Sequence, residues 1–220
     1  MRYLFLALLA AATVWHLADS WRDDAKRRRR TKPFLLLFLI LYYIFSADAP
    51  SLLLLAALGT SWLGDVLLMP NGNKWFVLGG VSFMFTHFLF IGVYVGQVDF
   101  RHVLWAAVIP AALLYYGISA WIIRSLTPST PKMMLVPMYV YLLCNSTMNV
   151  FALMQLLSSR SLAAAVAYAG AVLFFISDCT LFLVRYHKNK DLVFRKHFTV
   201  MLTYVLGEWM ITEGMLLLAR

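Results

Sequence analysis

Residues 162–184 read LAAAVAYAGAVLFFISDCTLFLV and contain a single charged side chain, Asp178. A transmembrane α-helix needs about 20 consecutive, mostly apolar residues, because the hydrocarbon core of a bilayer is about 30 Å thick. The stretch therefore predicts a membrane-spanning helix. An ionisable side chain inside such a helix is costly, so Asp178 is a candidate functional residue.

Similar apolar stretches fill most of the chain. Hydrophobic residues make up 62% of the 220 residues and charged residues 13%, whereas soluble domains contain about 45–50% and about 25%. These proportions exclude a soluble domain, a disordered chain, a coiled coil and a secreted disulfide scaffold. The two cysteines, Cys144 and Cys179, lie within apolar runs, which is typical of core residues rather than of a disulfide or a metal site.

The sequence predicts an all-α polytopic membrane protein, a bundle of eight transmembrane helices that forms a single integral domain over residues 1–220. The predicted spans are residues 3–18, 33–48, 51–69, 75–96, 102–123, 133–157, 162–184 and 197–218. Lys32 and Pro33 are expected to open the second span. A cleaved signal peptide is the alternative for the first span, although the basic block that follows it resists translocation.

Lysine and arginine are distributed unequally between the two sides of such a bundle. With eight spans, the loops after spans 1, 3, 5 and 7 share one side and carry 15 of the 19 basic residues, and the other side carries four. Because cytoplasmic loops are rich in Lys and Arg, the basic side is predicted to be cytoplasmic and both termini to be outside or lumenal. The net charge of +9 then indicates loops near anionic membrane lipid, and no nucleic-acid partner is expected.

Several polar side chains fall within the predicted spans. A helix rises 1.5 Å per residue, so the number of residues to the nearest basic side chain gives a depth in the membrane. By this measure Asp65 and Asp178 share one depth, roughly 10–14 Å inward from those basic residues. His87, Asn145 and Glu208 are expected to lie deeper. Helical spacing adds Ser61 beside Asp65, Ser177 beside Asp178, a stripe of Tyr141, Asn145 and Asn149, and a stripe of Tyr204, Glu208 and Thr212. These stripes should face the bundle interior, where they line a site or join helices by hydrogen bonds.

Common catalytic motifs are missing from the sequence. It contains no P-loop, no HExxH and no GxSxG. A zinc site needs three or four convergent ligands. Although His16, His87 and His197 with an aspartate are conceivable ligands, their spacing does not demand a site. No metal or other cofactor is expected.

Motifs on three predicted spans, taken in order, resemble the YhhN-like family of lysoplasmalogenases. They are LGDVLLM at 63–69, GxxFxxxH at 80–87 and GAxLFxxSDxxL at 170–181, together with Lys32-Pro33 and residues 139–148. The resemblance covers essentially the whole chain. It implies hydrolysis of the vinyl ether bond of lysoplasmalogens to a fatty aldehyde and glycerophospho-ethanolamine or -choline. The two motif aspartates of the family match Asp65 and Asp178 and its motif histidine matches His87, while Phe90 stands where a tyrosine is common.

This chemistry suits the residues. Vinyl ether hydrolysis needs an acid that protonates carbon, an anion near the oxocarbenium-like cation and a base for water. Two carboxylates in a low-dielectric site can take different protonation states and fill these roles, as they do in glycosidases. We therefore expect Asp65 and Asp178 to be catalytic. The predicted cavity residues are Ser61, His87, Tyr141, Asn145, Asn149, Ser177, Tyr204 and Glu208, and the predicted phosphate contacts are Lys74, Arg185 and Lys196.

The expected partners are a lysophospholipid substrate and membrane lipid, and no oligomeric state is predicted. The same buried acids also suit a small-molecule or proton-coupled transporter, in which paired carboxylates lie inside a helical bundle. A receptor or a structural lipid-binding protein is a third class, for which the sequence offers no positive sign.

Overall fold

The computed structural model describes residues 1–219, which form eight α-helices and no strand. They are α1 (Arg2–Trp21), α2 (Ala25–Ile44), α3 (Leu52–Leu67), α4 (Asn73–Val95), α5 (Trp105–Leu126), α6 (Lys132–Ser159), α7 (Leu162–Tyr186) and α8 (His197–Leu218), with a 3₁₀ turn at Thr127–Ser129 after α5. The all-α prediction is confirmed. The end of the molecule at which α1, α3 and α7 finish and α2, α4 and α8 begin is called the basic end below.

Six of these helices are long and apolar enough to cross a membrane: α1, α4, α5, α6, α7 and α8. Of the other two, α3 is apolar but has only 16 residues, and α2 begins with a run of basic residues. The helices indicate a multi-pass membrane protein.

The start of the second helix differs from the prediction. α2 begins at Ala25 and not at Pro33, because the Asp24 carboxylate accepts hydrogen bonds of 3.1 Å from the backbone N–H groups of Lys26 and Arg27. Such an N-cap stabilises the first turn, so the helix includes the basic residues and continues through Pro33 to Ile44. The basic block is therefore helical and not a loop.

The fifth helix is displaced by three residues from its predicted position, from 102–123 to Trp105–Leu126. Arg124 was expected to lie in a loop because of its charge, but it belongs to the last turn of α5. The α-helix ends at Leu126 and continues as the 3₁₀ turn Thr127–Ser129, because Pro128 has no backbone N–H to donate to the α-helical hydrogen-bond pattern.

Glycines allow α7 and α8 to pack backbone against backbone. A methyl group at position 214 would lie 2.6 Å from the backbone nitrogen of Ala167, and one at position 170 would lie 2.7 Å from the carbonyl oxygen of Gly207. Small residues are the usual means of close helix approach in membranes. This contact fixes Asp178 on α7 relative to the polar stripe on α8.

The α3–α4 and α4–α6–α7 contacts bring the remaining polar side chains together. Gly72 turns the chain between α3 and α4 with a φ of 118°, a conformation that favours glycine. α6 packs against both α4 and α7, which places the Tyr141–Asn149 stripe beside His87 and Asp178.

Candidate active site at the basic end

A cavity of about 520 Å³ opens at the basic end. We call it the basic cavity. Asp65 and Asp178 both line it, together with Ser177 and Tyr204. The structure therefore brings the two predicted catalytic aspartates to one site. The other lining residues are His16, Ala25, Arg28, Arg29, Lys32, Leu68, Met69, Asn71, Phe76, Phe83, Leu181, Val184, Arg185, His197, Val200 and Met201.

One oxygen of Asp178 is held by three side chains. Asp178 Oδ2 accepts hydrogen bonds from Tyr141 Oη at 2.8 Å and Asn145 Nδ2 at 2.7 Å, and His87 Nε2 lies 3.1 Å away. Within residues 1–219, Asp178 Oδ1 has no hydrogen-bond partner. The carboxylate is thus fixed through one oxygen, and the other is available to a molecule in the basic cavity.

His87 lies closer to Asp178 than its position along the helix suggested. The sequence placed the histidine deeper in the membrane than the aspartate. Side chains on a helix lean toward its N-terminus, so His87 leans toward the basic end, where α4 begins, whereas Asp178 leans away from it. His87 is fully buried between Tyr141 and Phe174, with ring centroids 5.1 and 5.0 Å away, and its Nδ1 atom has no partner among the described residues.

Asp65 is held by a cation. Lys32 Nζ lies 3.1 Å from Asp65 Oδ1, and Tyr204 Oη donates a hydrogen bond of 2.9 Å to Oδ2. Sequence reasoning assigned Lys32 to a loop and missed this contact. The Asp24 cap is the signal that could have revealed it, because a helix beginning at residue 25 carries Lys32 into the bundle.

The two aspartates belong to separate networks within the basic cavity. The rings of Phe83 and Phe174 both contact Tyr204, the partner of Asp65, with centroids 5.7 and 5.6 Å away. Phe174 also contacts His87, the partner of Asp178, so its ring packs against side chains of both networks.

Glu208 occupies a third, fully buried position. Its Oε1 accepts a hydrogen bond of 2.5 Å from Ser61, while Oε2 has no partner among the described residues. Ser61 was predicted to lie beside Asp65, but its hydroxyl points to Glu208 on α8 and to Thr86 on α4. Thr212 donates to the Glu208 carbonyl at 2.8 Å. The Tyr204–Thr212 stripe is thus interior, as predicted.

The other predicted polar residues support these networks. Asn149 Nδ2 donates to the backbone and side-chain oxygens of Asn145, both at 3.0 Å, and so supports the amide that holds Asp178. Ser177 Oγ donates to the Val200 carbonyl at 2.9 Å, a bond between α7 and α8.

The basic residues of the cavity are not those predicted, apart from Arg185. Arg28, Arg29, Lys32 and Arg185 line the basic cavity. Lys74 and Lys196 do not line it: Lys74 is exposed, and Lys196 Nζ lies 3.7 Å from Asp191. Arg28 donates a hydrogen bond of 2.6 Å to Asp23, and this bond lowers the pKa of that exposed carboxyl below its usual value.

Residues 1–219 contain no group of three or more His, Cys, Asp or Glu side chains that could hold a metal ion. The polar groups of the basic cavity are instead two carboxylates with separate donors beneath a basic rim. That arrangement can hold or transfer a proton at Asp178 and His87, and can hold a negative charge at Asp65 beside Lys32.

Comparisons with known proteins place the chain in a family. No curated protein and no solved structure matches it. A family model described as the YhhN family matches residues 28–215, from the first turns of α2 to the last turns of α8. The match covers well over half of the sequence and includes both aspartates, so the chain belongs to the YhhN family.

Proposed function

We propose that this protein is a membrane-embedded hydrolase that cleaves the vinyl ether bond of lysoplasmalogens. The products are a fatty aldehyde and glycerophospho-ethanolamine or -choline. The observation that carries the proposal is the placement of Asp65 and Asp178 in one cavity beneath a basic rim. Membership of the YhhN family supports it through the resemblance of the motifs around Asp65, His87 and Asp178.

Asp178 and His87 are the proposed proton donor. Their side chains lie 3.1 Å apart, and the other two partners of Asp178 are a neutral phenol and a neutral amide. A proton shared by the carboxyl and the imidazole can be given to the vinyl ether carbon that is not bonded to oxygen. A positioned acid of this kind typically contributes about 10²–10⁴-fold to a rate.

Asp65 is the proposed anion and base. Protonation leaves an oxocarbenium-like cation, whose charge a nearby carboxylate stabilises. Water then adds to the carbon bonded to oxygen, and Asp65 takes its proton. The hemiacetal collapses as the bond between that carbon and the glycerol oxygen breaks, and the glycerol oxygen receives the proton that Asp65 took from water. The hemiacetal hydroxyl loses its proton as it becomes the aldehyde oxygen, and this proton restores the Asp178–His87 pair. Lys32 compensates the charge of Asp65 between these steps, since its ammonium lies 3.1 Å from Oδ1.

The proposed topology has eight membrane crossings. α2 then crosses the membrane with its apolar half, with the basic turns at the surface, and the short α3 crosses beside α4, against which it packs. The split of 15 basic residues to four supports a cytoplasmic basic end with both termini opposite. Cysteines introduced at positions 73 and 189 should resist an impermeant thiol reagent in intact cells. Labelling from outside at either position would reverse the proposed orientation.

Aldehyde release by the purified protein tests the reaction. In detergent, without any ion gradient, we expect aldehyde from a vinyl ether lysophospholipid and no cleavage of the alkyl ether or acyl analogues of equal length. The alkyl ether cannot be protonated at carbon, so it is the matched negative substrate. Equal cleavage of the acyl analogue would contradict the proposal.

A proton-coupled transporter is the second candidate, and Glu208 is the observation that favours it. This carboxyl is fully buried and has no role in the hydrolysis proposed above, and within residues 1–219 Ser61 is its only side-chain hydrogen-bond partner. Buried acids of this kind occur in proton relays. Proteoliposomes with an imposed pH gradient separate the two functions: a transporter moves solute only with the gradient, whereas a hydrolase releases aldehyde without it.

A further inference from the structure

The rim of the basic cavity carries more positive than negative charge. Its charged side chains are the cations Arg28, Arg29, Lys32 and Arg185 and the carboxylates Asp65 and Asp178. A cleft lined mainly by charges of one sign attracts ions of the opposite sign. The surplus of cations indicates that the cavity suits an anionic ligand.

Two of the four cations already have carboxylate partners. Arg28 pairs with Asp23 and Lys32 pairs with Asp65. Within residues 1–219, neither Arg29 nor Arg185 lies within 4.0 Å of a carboxylate. These two guanidinium groups carry the uncompensated charge.

Arg29 and Arg185 are fixed by amides on one turn. Arg29 Nη2 donates to Asn71 Oδ1 at 2.7 Å, and Arg185 Nη2 donates to Asn73 Oδ1 at 2.9 Å. The two asparagines flank Gly72. One arginine comes from α2 and the other from α7, so the α3–α4 turn holds both guanidinium groups at the same rim.

The plane of Arg185 is fixed further by aromatic rings. Its guanidinium carbon lies 3.8 Å from the centroid of Phe76, and Nε donates to Tyr186 Oη at 3.2 Å. A guanidinium has five N–H donors. The contacts above use two donors of Arg185 and one of Arg29, so both retain donors for a ligand.

We propose that Arg29 and Arg185 together bind the phosphate of a single-chain glycerophospholipid. The inference rests on the proposed function and deepens it by naming the residues that recognise the headgroup. Planar guanidinium groups form paired hydrogen bonds with phosphate oxygens. The cavity that both arginines and both aspartates line also has apolar lining residues, among them Leu181 and Val184. Phosphate binding at the rim therefore positions the vinyl ether near Asp65 and Asp178.

Two substrates test this inference: an alkenyl glycerophosphoethanolamine and an alkenyl glycerol of the same chain length, which lacks the phosphate. Arg29→Gln and Arg185→Gln should each raise KM for the first about 10-fold to 100-fold, the loss expected for hydrogen bonds to a charged group. KM for the second should not change. Arg27→Gln is the matched control, because Arg27 lies on the same helix but does not line the basic cavity.

Asn73→Ala should have an intermediate effect on KM, since it removes the amide partner of Arg185 but keeps the arginine. We expect a smaller rise in KM than for Arg185→Gln and an unchanged kcat. Equal losses on the two substrates in either arginine variant would overturn the inference, because the arginines would then act on something other than phosphate.

A binding measurement keeps the inference separate from the proposed reaction. Acyl lysophosphatidylethanolamine should raise the melting temperature of the wild-type protein, and of Arg27→Gln, more than monoacylglycerol of equal chain length does, and this difference should vanish in Arg29→Gln. If no aldehyde is released from any substrate, the proposed function fails while this measurement still decides phosphate recognition. Stabilisation by inorganic phosphate but not by the lysophospholipid would overturn the lipid assignment.

Discussion

The two aspartates of the basic cavity lie in similar local sequences but have different partners. Each has a small residue before it and a leucine three positions after it: Gly64 and Leu68 around Asp65, and Ser177 and Leu181 around Asp178. Asp65 is nevertheless paired with a lysine, whereas Asp178 is held by a phenol, an amide and an imidazole. The partners come from other helices, so helix packing, and not the motif, sets the chemistry of each carboxyl.

This difference implies a division of roles. A carboxylate beside an ammonium has its charge compensated without a proton, so Asp65 suits the anion and the base. Asp178 has an imidazole beside it and can share a proton with it, so it suits the acid. Substitutions of the two aspartates and of their side-chain partners test this division of roles.

Replacing either aspartate by asparagine should have the largest effect. Asparagine has nearly the same shape but cannot give a proton to carbon or take one from water. Asp178→Asn and Asp65→Asn should each lower aldehyde release by about 10²–10⁴-fold. Asp178→Asn should change the melting temperature little, whereas Asp65→Asn should also lower it, because Lys32 loses its ion-pair partner. Asp191→Asn is the control, since that side chain is 92% exposed in a loop. A well-folded variant that keeps more than about a tenth of the activity would show that its aspartate is neither acid nor base.

Replacing Lys32 tests whether its ammonium group stabilises the buried Asp65 carboxylate. Lys32→Met leaves Asp65, which is 2% exposed, without its ion-pair partner. Breaking a buried pair in this way typically lowers the free energy of unfolding by about 3–5 kcal/mol. The double variant Lys32→Met/Asp65→Asn should recover most of that stability, though not the activity. The measurement is reversible unfolding in detergent, and a double variant as unstable as Lys32→Met would show that the lysine acts through something other than Asp65.

Removing the hydroxyl of Tyr204 or of Tyr141 should have a smaller effect, and it compares the hydrogen bonds of the two aspartates directly. Among the described residues, Tyr204 is the one side chain that donates to Asp65 Oδ2, whereas Tyr141 shares Asp178 Oδ2 with Asn145 and His87. Tyr204→Phe should therefore lower the free energy of unfolding by about 1–3 kcal/mol, and Tyr141→Phe by about 0.5–1.5 kcal/mol. Chemical denaturation of both variants under one condition checks the order, and the reverse order would contradict the network described for Asp178.

Part of this site was predictable from sequence because burying a polar side chain in an apolar helix is costly. Asp65, Asp178 and the stripe from Tyr141 to Asn149 stood out for that reason, and the structure places all of them inside the bundle. The regular rise of a helix also put the two aspartates at one level, and both line one cavity.

The contacts between helices were not predictable in the same way. Ser61 shares a helix face with Asp65, yet it donates to Glu208, whose side chain comes from α8. Lys32 was missed because a basic run beside an apolar stretch resembles a loop, and only the Asp24 cap extends the helix through it. Charge patterns locate the basic end, but side-chain partners depend on which helices pack together.

Substitution of Ser177 should have the smallest effect, and it tests directly whether a serine nucleophile takes part in the reaction. Ser177 adjoins Asp178 in the sequence, which makes it a candidate serine nucleophile. Its Oγ, however, donates to the Val200 carbonyl at 2.9 Å, and His87 Nε2 lies 3.1 Å from Asp178 Oδ2. In the part of the chain that the structure describes, no base is therefore hydrogen-bonded to the Ser177 hydroxyl, as acyl transfer by an ester hydrolase requires. The Val200 carbonyl also accepts a hydrogen bond from Thr203 at 3.2 Å, so it keeps a side-chain donor in Ser177→Ala.

We expect Ser177→Ala to lose about 0.5–1.5 kcal/mol of stability and to keep most of its aldehyde release, with no acyl-enzyme in the wild-type protein. Mass spectrometry of the intact protein after exposure to an acyl lysophospholipid checks for the acyl-enzyme. Parallel assays follow fatty acid and aldehyde release. Comparable release of both products, with loss of both in Ser177→Ala, would replace the two-carboxylate mechanism by serine-type catalysis. In that case the difference between Asp65 and Asp178 would concern the stability of the bundle rather than proton transfer.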